Sequence, residues 1–486
     1  MRYCLFLCSI LFFKITFSQI VDVSSPTRLS NKIQRVKIIG KNQDGYVVRF
    51  SGDEQAIHTY GNDLRLQSAK TIDYKNREGE IQHILLNKTG ATVFYLASER
   101  RQTLLMAQPV NSKFVESGKA IVIDSFLDKP EVVNANLHFK NSIDQNSILF
   151  YYPIFRGTMV QSMQLVCIDR ALNILYHKQV SINRADKDME YAKALVDNVG
   201  NALVLFAAEK NGQDRTFGDA FIVTRYDRAS EIETRFTIQC DKEIFGEPQF
   251  ELDNINGRLL FSAFYDEIGT AVDPASNGFF FSQYDSKTGE RVQNIYTPFP
   301  SDFIAELTGR EATNMNNRLY TFLVKKIIPR NDGGILLAAE SFIKDKREVL
   351  SMGPSMMVPY NTYRTINSYS FNDIITFSLT PSGAIEWSKV LRKKQASEED
   401  DGFNSSFALM NQRDKLRFIY LEEVASSAAV SEYELTSDGA ATRNSLFNQE
   451  DKDVLLIPKL AKQVAPDEIL IPSIKGSVFR LLKITY

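Results

Sequence analysis

Four histidines, His58, His83, His138 and His177, are the first residues to test for chemistry, and their spacing answers against metal. None lies within a short ligand spacing of another, and the chain has no HExxH or CxxC element. A GxSxG elbow and a GxxxxGK[ST] phosphate loop are also missing, and without close histidines or cysteines nucleophilic or zinc chemistry has few candidates. His83 and His138 fall in apolar strands and read as packed or edge residues. The run Glu398-Glu399-Asp400-Asp401-Gly402 offers oxygen ligands for a hard cation, but without the alternating acids of a dedicated calcium loop. It reads as a solvated connection. The pairs Arg100-Arg101, Lys325-Lys326 and Lys393-Lys394 read as solvated basic faces. No residue is assigned as catalytic or as a metal ligand, and no cofactor is expected.

The stretch 341–370 carries recognition chemistry instead. Met352, Met356, Met357, Tyr360, Tyr363 and Tyr369 fall there together with Gly353, Pro354 and Pro359. Tyr and Met give contact area without a charge to desolvate, as binding surfaces prefer. Met356, Met357, Tyr360, Tyr363 and Tyr369, with the lone Trp387, are the candidate binding residues. The competing reading is a plug that folds down over a channel.

The elements that position this stretch are strands. With 33 Phe and 20 Tyr, and few helix-favouring runs, composition leans towards sheet. One phrase recurs: an apolar strand ending in an aromatic, an acidic turn, then an amphipathic strand. Clear copies are Phe221–Tyr226 with Asp227, and Phe279–Tyr284 with Asp285; a weaker one ends at Asp169. The step from Asp169 to Asp227, and from Asp227 to Asp285, is 58 residues, the upper range for propeller blades. Ahead of each phrase lies another hairpin with an Asn/Asp/Gly turn, such as Asn198-Val199-Gly200-Asn201 or Asn254-Ile255-Asn256-Gly257.

Two hairpins per unit predict an all-β fold: a β-propeller of about eight four-stranded antiparallel blades, or seven if a weak unit is misread. Units begin near residues 35, 78, 132, 190, 247, 320, 403 and 454. The last has room for only three strands, and Ile20–Val23 is expected to supply the fourth, closing the ring. The 341–370 stretch interrupts the sixth unit. Before that unit, Ser301 to Ala312 has the one helical pattern, with Ser301 as N-cap and Phe303, Ile304 and Leu307 on one face.

The chain opens with Arg2 and an apolar run from Cys4 to Phe13, followed by Thr16 and Ser18. This predicts a signal peptide over residues 1–18, with Gln19 as the new terminus. Residues 19–486 are then a single propeller domain, exported to the periplasm or beyond, with no transmembrane segment. A net charge of −2, mixed along the chain, leaves no nucleic-acid surface. Cys167 and Cys240 read as small buried thiols, though a pairing between them stays open.

The run Asn372-Asp373-Ile374 through Gly383-Ala384-Ile385-Glu386-Trp387, then Lys393-Lys394-Gln395, Asp400-Asp401 and Ser405-Ser406, resembles a pattern in functionally uncharacterised, exported propeller-like proteins of the Bacteroidetes. That resemblance covers about a quarter of the chain and implies an envelope location and no activity. The turn Tyr284-Asp285-Ser286-Lys287-Thr288-Gly289-Glu290 resembles turns of pyrroloquinoline-quinone-type propellers, which place a tryptophan in most blades; only Trp387 lies near such a position here. The function expected is a non-enzymatic scaffold for a protein or glycan of the cell envelope. The alternative is a hydrolase or lyase using acids in the central channel.

Overall fold

The recurring aspartates mark turns in the folded chain, because each carboxylate closes its turn. Asp227 Oδ1 accepts from the backbone N–H groups of Ala229 and Ser230, at 3.1 and 2.9 Å. Asp285 Oδ1 does the same for Lys287 and Thr288, each at 3.0 Å. Such side-chain turns halt a strand and reverse it without any tertiary help. A computed structural model of the protein describes residues 19–31, 33–71, 81–99, 101–182, 189, 191–211, 216–266, 276–309, 319, 321–351 and 362–486.

Eight four-stranded antiparallel sheets follow one another along the chain and form a propeller. Their first strands are Ile33–Asn42, Ile81–Asn87, His138–Asn141, Tyr191–Val196, Glu243–Asp253, Phe322–Pro329, Phe407–Asn411 and Lys462–Ala465. Neighbouring first strands lie beside one another, which puts the first strand of each blade at the axis. The expected unit starts fall within eight residues of these strands.

Blade 8 has only three strands from the C-terminal end, and Ile20–Val23 completes it. This strand pairs antiparallel with Val478–Thr485, from Ile20↔Thr485 to Val23↔Leu482. The ring is therefore closed by both ends of the described chain, as the three-strand final unit requires.

Closure is visible in the core as well. Eight separate apolar clusters fill the eight joints between adjacent blades, including the joint between blades 8 and 1, where Phe50 and Phe479 meet edge-on at 4.9 Å. Phe221, Phe250, Phe261 and Phe280 stack through the joint of blades 4 and 5. Each buried ring contributes roughly 1.5–3 kcal/mol, so the joints carry the stability and no disulfide is needed. Cys167 and Cys240 are free, buried in different joints, and burial pushes the Cys167 thiol up to about 12.

The two ends of the propeller differ. At one end the first-to-second and third-to-fourth strand turns are mostly tight, and the first-to-second turns join hands. Asp144 N donates to Asn198 Oδ1 (3.2 Å), Asn198 N to Asn254 Oδ1 (3.3 Å), and Asn256 Nδ2 to the Arg330 carbonyl (3.2 Å). The other end carries the blade-to-blade crossovers and two helices, Pro130–Asn136 and Ser301–Thr308. The first helix was not expected. In the second, Phe303, Ile304 and Leu307 are buried as predicted, but Ser301 is not the cap: Pro300 occupies that position and no side chain caps the helix. Gly309 ends it in the left-handed region, at φ 70°.

Candidate functional site

The described part of the 341–370 stretch is a ribbon that extends the second and third strands of blade 6. Ile335–Ser351 and Thr362–Leu379 stay paired from Ile335↔Leu379 out to Ser351↔Thr362. Beyond Phe342 the outgoing strand is exposed from Lys344 to Val349, while the returning strand stays partly covered from Ile366 to Ser370. The described part stands off the rim and does not fold down. Tyr363 is 65% exposed near the outer end of the described ribbon, while Tyr369 is buried at its base, where Lys344 lies over its ring at 5.2 Å. Asp401 holds the Tyr369 phenol up to about 12. Met356, Met357 and Tyr360, like Met352, Gly353, Pro354 and Pro359, lie outside the described residues. Trp387 is elsewhere: it sits near the tight-turn end of the outermost strand of blade 6, where its indole N–H donates to the Ser437 carbonyl (3.1 Å) and its ring covers Gly439. The ribbon thus groups Tyr363 and Tyr369, and Trp387 belongs to the joint with blade 7.

The base of the ribbon is locked by a buried polar network. The Glu340 and Lys393 side chains are wholly buried and meet at 2.7 Å. Ser406 Oγ donates to the second Glu340 oxygen at 2.6 Å, and Lys325 Nζ approaches it at 3.3 Å. Lys393 Nζ also donates to the Phe371 carbonyl (2.7 Å) and to Gln395 Oε1 (3.0 Å). Gln395 in turn accepts from Ser406 N (2.7 Å) and donates to the Leu421 carbonyl in blade 7 (2.7 Å). Burial pulls the Lys393 ammonium below its ordinary value, and the Glu340 carboxylate opposes that pull. Gln395–Glu398 then pairs with Ser368–Phe371 as an extra strand on the ribbon.

The reading of Lys325-Lys326 and Lys393-Lys394 as solvated faces fits the exposed Lys326 and Lys394 and is corrected for Lys325 and Lys393. Lys325 and Lys393 both serve the buried Glu340, and Lys326 reaches Glu251 of blade 5 at 3.4 Å. Sequence gave no signal for this, because Glu340 lies 53 positions from Lys393 in the chain.

The acidic run is spent on the same mount. Glu398 pairs with Arg347 (2.5 Å), Glu399 accepts from Asn367 N (2.6 Å), and Asp400 accepts from Ser397 Oγ and Gly402 N (2.6 and 2.9 Å). Its carboxylates point to separate partners and do not converge on a cation. Glu399, Asp401, Gly402 and Ser406 all adopt positive φ, from 50° to 75°. For non-glycine residues such angles cost of order 1–3 kcal/mol each and persist where the surroundings over-determine them. Here the network does so. A carboxylate, amine and hydroxyl this close could serve acid–base chemistry, but Ser405 and Ser406 are buried, at 0% and 4% exposure, and no substrate reaches them. The arrangement holds the ribbon rigidly.

His83 is packed against Phe139, at 3.9 Å between centroids, and His138 is an exposed first-strand residue beside Tyr151 at 5.2 Å. At the tight-turn end an 840 Å³ cleft lies over blades 4 and 5, beside Asn201, Arg225, Arg228 and Lys287, with Arg225 held by Asp227 at 2.6 Å. Among the described residues no group of three or more His, Cys, Asp or Glu is placed to hold a metal, and no helix is long and apolar enough to cross a membrane.

No protein-family model matches the chain, and no curated protein does. Among solved structures it is similar to the WD40 domain of SCAP from fission yeast, at 8% identity and a TM-score of 0.43, over 96% of this chain and 98% of that one. It is similar to the polysaccharide lyase Uly1, at 8% identity and a TM-score of 0.42, over 96% and 99%. An uncharacterized protein from Listeria monocytogenes EGD-e matches at 10% identity and a TM-score of 0.37, over 81% and 89%.

Proposed function

We propose that this protein is an exported, non-enzymatic propeller that binds a protein partner of the cell envelope through the face bearing the blade 6 ribbon. The observation that carries the reading is the ribbon and its mount. Ordering an exposed ribbon costs conformational entropy, on the order of 1–2 kcal/mol per residue for backbone alone, and its outer half buries little to offset that cost. The buried Glu340–Lys393 network and the added strand Gln395–Glu398 hold it out from the rim. An element fixed on a rigid scaffold and exposing Tyr363 and Val349 suits recognition. Export rests on the leader-like residues 1–18. The hydrolase or lyase alternative asks for convergent acids at the axis, whereas Glu251, one of the first-strand acids, is held by Lys326.

The test is a crosslinked capture from the native envelope with the mature chain, a variant joining Phe342 to Phe371 through a two-residue turn, and Tyr363→Ala. The same partner should be captured by the intact chain, lost with the ribbon and weakened by Tyr363→Ala. Capture that is indifferent to the ribbon, or none at all, overturns the reading.

A further inference from the structure

The axis carries a concentration of positive charge that the ribbon does not explain. Lys37, in the first strand of blade 1, points its ammonium at the ring of Phe139 in blade 3, 4.8 Å from the centroid. That ring packs on His83 of blade 2 at 3.9 Å. A side chain from blade 1 can reach blade 3 across blade 2 only where the three first strands face a common space. Lys462 opens the first strand of blade 8 and donates to the Ile39 carbonyl at 2.5 Å, two residues from Lys37. Arg49 stands opposite Lys37 in the strand register, on the same face of blade 1.

The nearby lysines have anionic partners: Lys41 meets Glu468 at 2.6 Å, Lys326 meets Glu251, and Lys325 meets Glu340. Among the described residues, Lys37 and Lys462 have no carboxylate within ion-pair distance. Both are water-accessible, so they line open space and are not sealed in the core. Burial still lowers both ammonium groups, and each positive neighbour adds to it, Arg49 at Lys37 and Lys37 at Lys462. His83 is driven down to about 3 by burial and then by Lys37, Lys462 and Arg49, so it is a neutral imidazole. Its Nε2 is buried and has no hydrogen-bond partner. Like charges crowded in a concave, partly desolvated space are costly until an anion enters, and the same concavity focuses their field on it.

We propose that the sector of the propeller axis formed by blades 8, 1 and 2 is an oxyanion-binding site, with Lys37 and Lys462 supplying the charge beside the buried, unpartnered Nε2 of His83. The ligand is a sulfate, phosphate or carboxylate group, carried by a free anion or by an acidic sugar. This site is separate from the ribbon, and neither reading depends on the other.

The experiment is isothermal titration of the full mature chain at fixed ionic strength, with sodium sulfate, a sulfated uronate disaccharide and lactose. Proteins compared are wild type, Lys37→Met/Lys462→Met, and the control Lys326→Met. Methionine keeps the aliphatic stem, and loss of two repelling charges should leave the unliganded double variant at least as thermostable as wild type. Saturable sulfate binding is expected, weakened at least tenfold in the double variant and unchanged in the control, with no response to lactose. Tenfold tighter binding of the disaccharide assigns the site to an acidic sugar; equal binding assigns it to the free anion. Absence of saturable binding to either anion, or binding that the double variant retains, overturns the proposal. So does an unliganded double variant that is folded but markedly less stable, since the two charges would then be compensated already.

Discussion

Lys393 Nζ lies 2.7 Å from Glu340 Oε1, and neither side chain reaches solvent, although they come from the crossover after blade 6 and from its second strand. The pair welds the crossover to the root of the ribbon. Removing one partner of a buried ion pair leaves a naked charge and costs about 3–5 kcal/mol, whereas replacing both by apolar groups is often neutral. Lys393→Met should therefore lose a few kcal/mol in chemical denaturation, softened where Lys325 takes over Glu340. Lys393→Met with Glu340→Leu should recover most of that loss. Equal destabilisation in the single and double variants would show that the pair is not the bond that matters.

Lys393, Gln395, Asp400, Gly402 and Ser406 form one interlocked turn, and Gly402 is where a side chain is forbidden: a Cβ there would lie 2.2 Å from the Phe371 ring, at φ 62°. Gly402→Ala should cost more than the roughly 1 kcal/mol of an ordinary glycine replacement. Limited proteolysis should then cut within 395–406 while the other blades stay intact. A variant as protease-resistant as wild type would remove this turn from the mount.

Blade repetition was legible because the turn chemistry is local: Asp227 and Asp285 close their own turns, and the apolar strands between them need no distant partner to be recognised. The closing strand Ile20–Val23 was legible by counting, since the last unit lacked a fourth strand. The ribbon was harder. Ile343 to Val349 is dominated by charged residues because neither ribbon face is buried there, so the two-residue alternation that marks a strand is missing. Lys37, Lys462 and His83 lie on three blades and meet only when the ring closes. No spacing along the chain encodes that meeting.

The linked turns near the axis make a third stability prediction. Asn198 accepts from blade 3 and donates to blade 5, so one residue ties three blades. Asn198→Ala removes the side-chain acceptor only, and Asn254→Ala the next one along; each should cost about 1 kcal/mol, the usual net value of such a bond. Both together should cost about the sum. Denaturant midpoints read the effect, and unchanged values would make the links incidental.

Acid stability follows from the histidines. Burial lowers His58 to about 4, and burial with the surrounding cations lowers His83 to about 3, against an unfolded value near 6.5. Below pH 6.5 the unfolded chain takes up protons at these positions while the folded chain does not, so stability falls as pH drops from 6.5 towards 4 and, for His83, on to about 3. His83→Gln should flatten this fall by up to about 1.4 kcal/mol per pH unit. Parallel stability curves for variant and wild type over that window would mean that His83 is protonated in the folded protein.

The ring closure gives the last prediction. Ile20–Val23 lies on the free edge of Val478–Thr485, with Val21 and Val23 packed into the joint of blades 7 and 8. Asp22 meets Lys483 at 2.9 Å, Ser24 exchanges two 2.9 Å bonds with the Leu481 backbone, and Gln19 Nε2 donates to Glu432 at 2.9 Å. A chain that begins at Ser25 loses these bonds and bares a strand edge, which invites pairing with a second copy. It should unfold at lower temperature and dimerise or aggregate on size exclusion. Because the missing element is one strand in an otherwise complete sheet, a synthetic peptide of residues 19–24 should restore both stability and the elution volume of the intact chain by occupying the edge. A truncated chain that keeps its thermal midpoint would mean that the apolar joints hold the ring without the clasp. A chain that falls apart yet ignores the peptide would place the loss in folding, not in the finished ring.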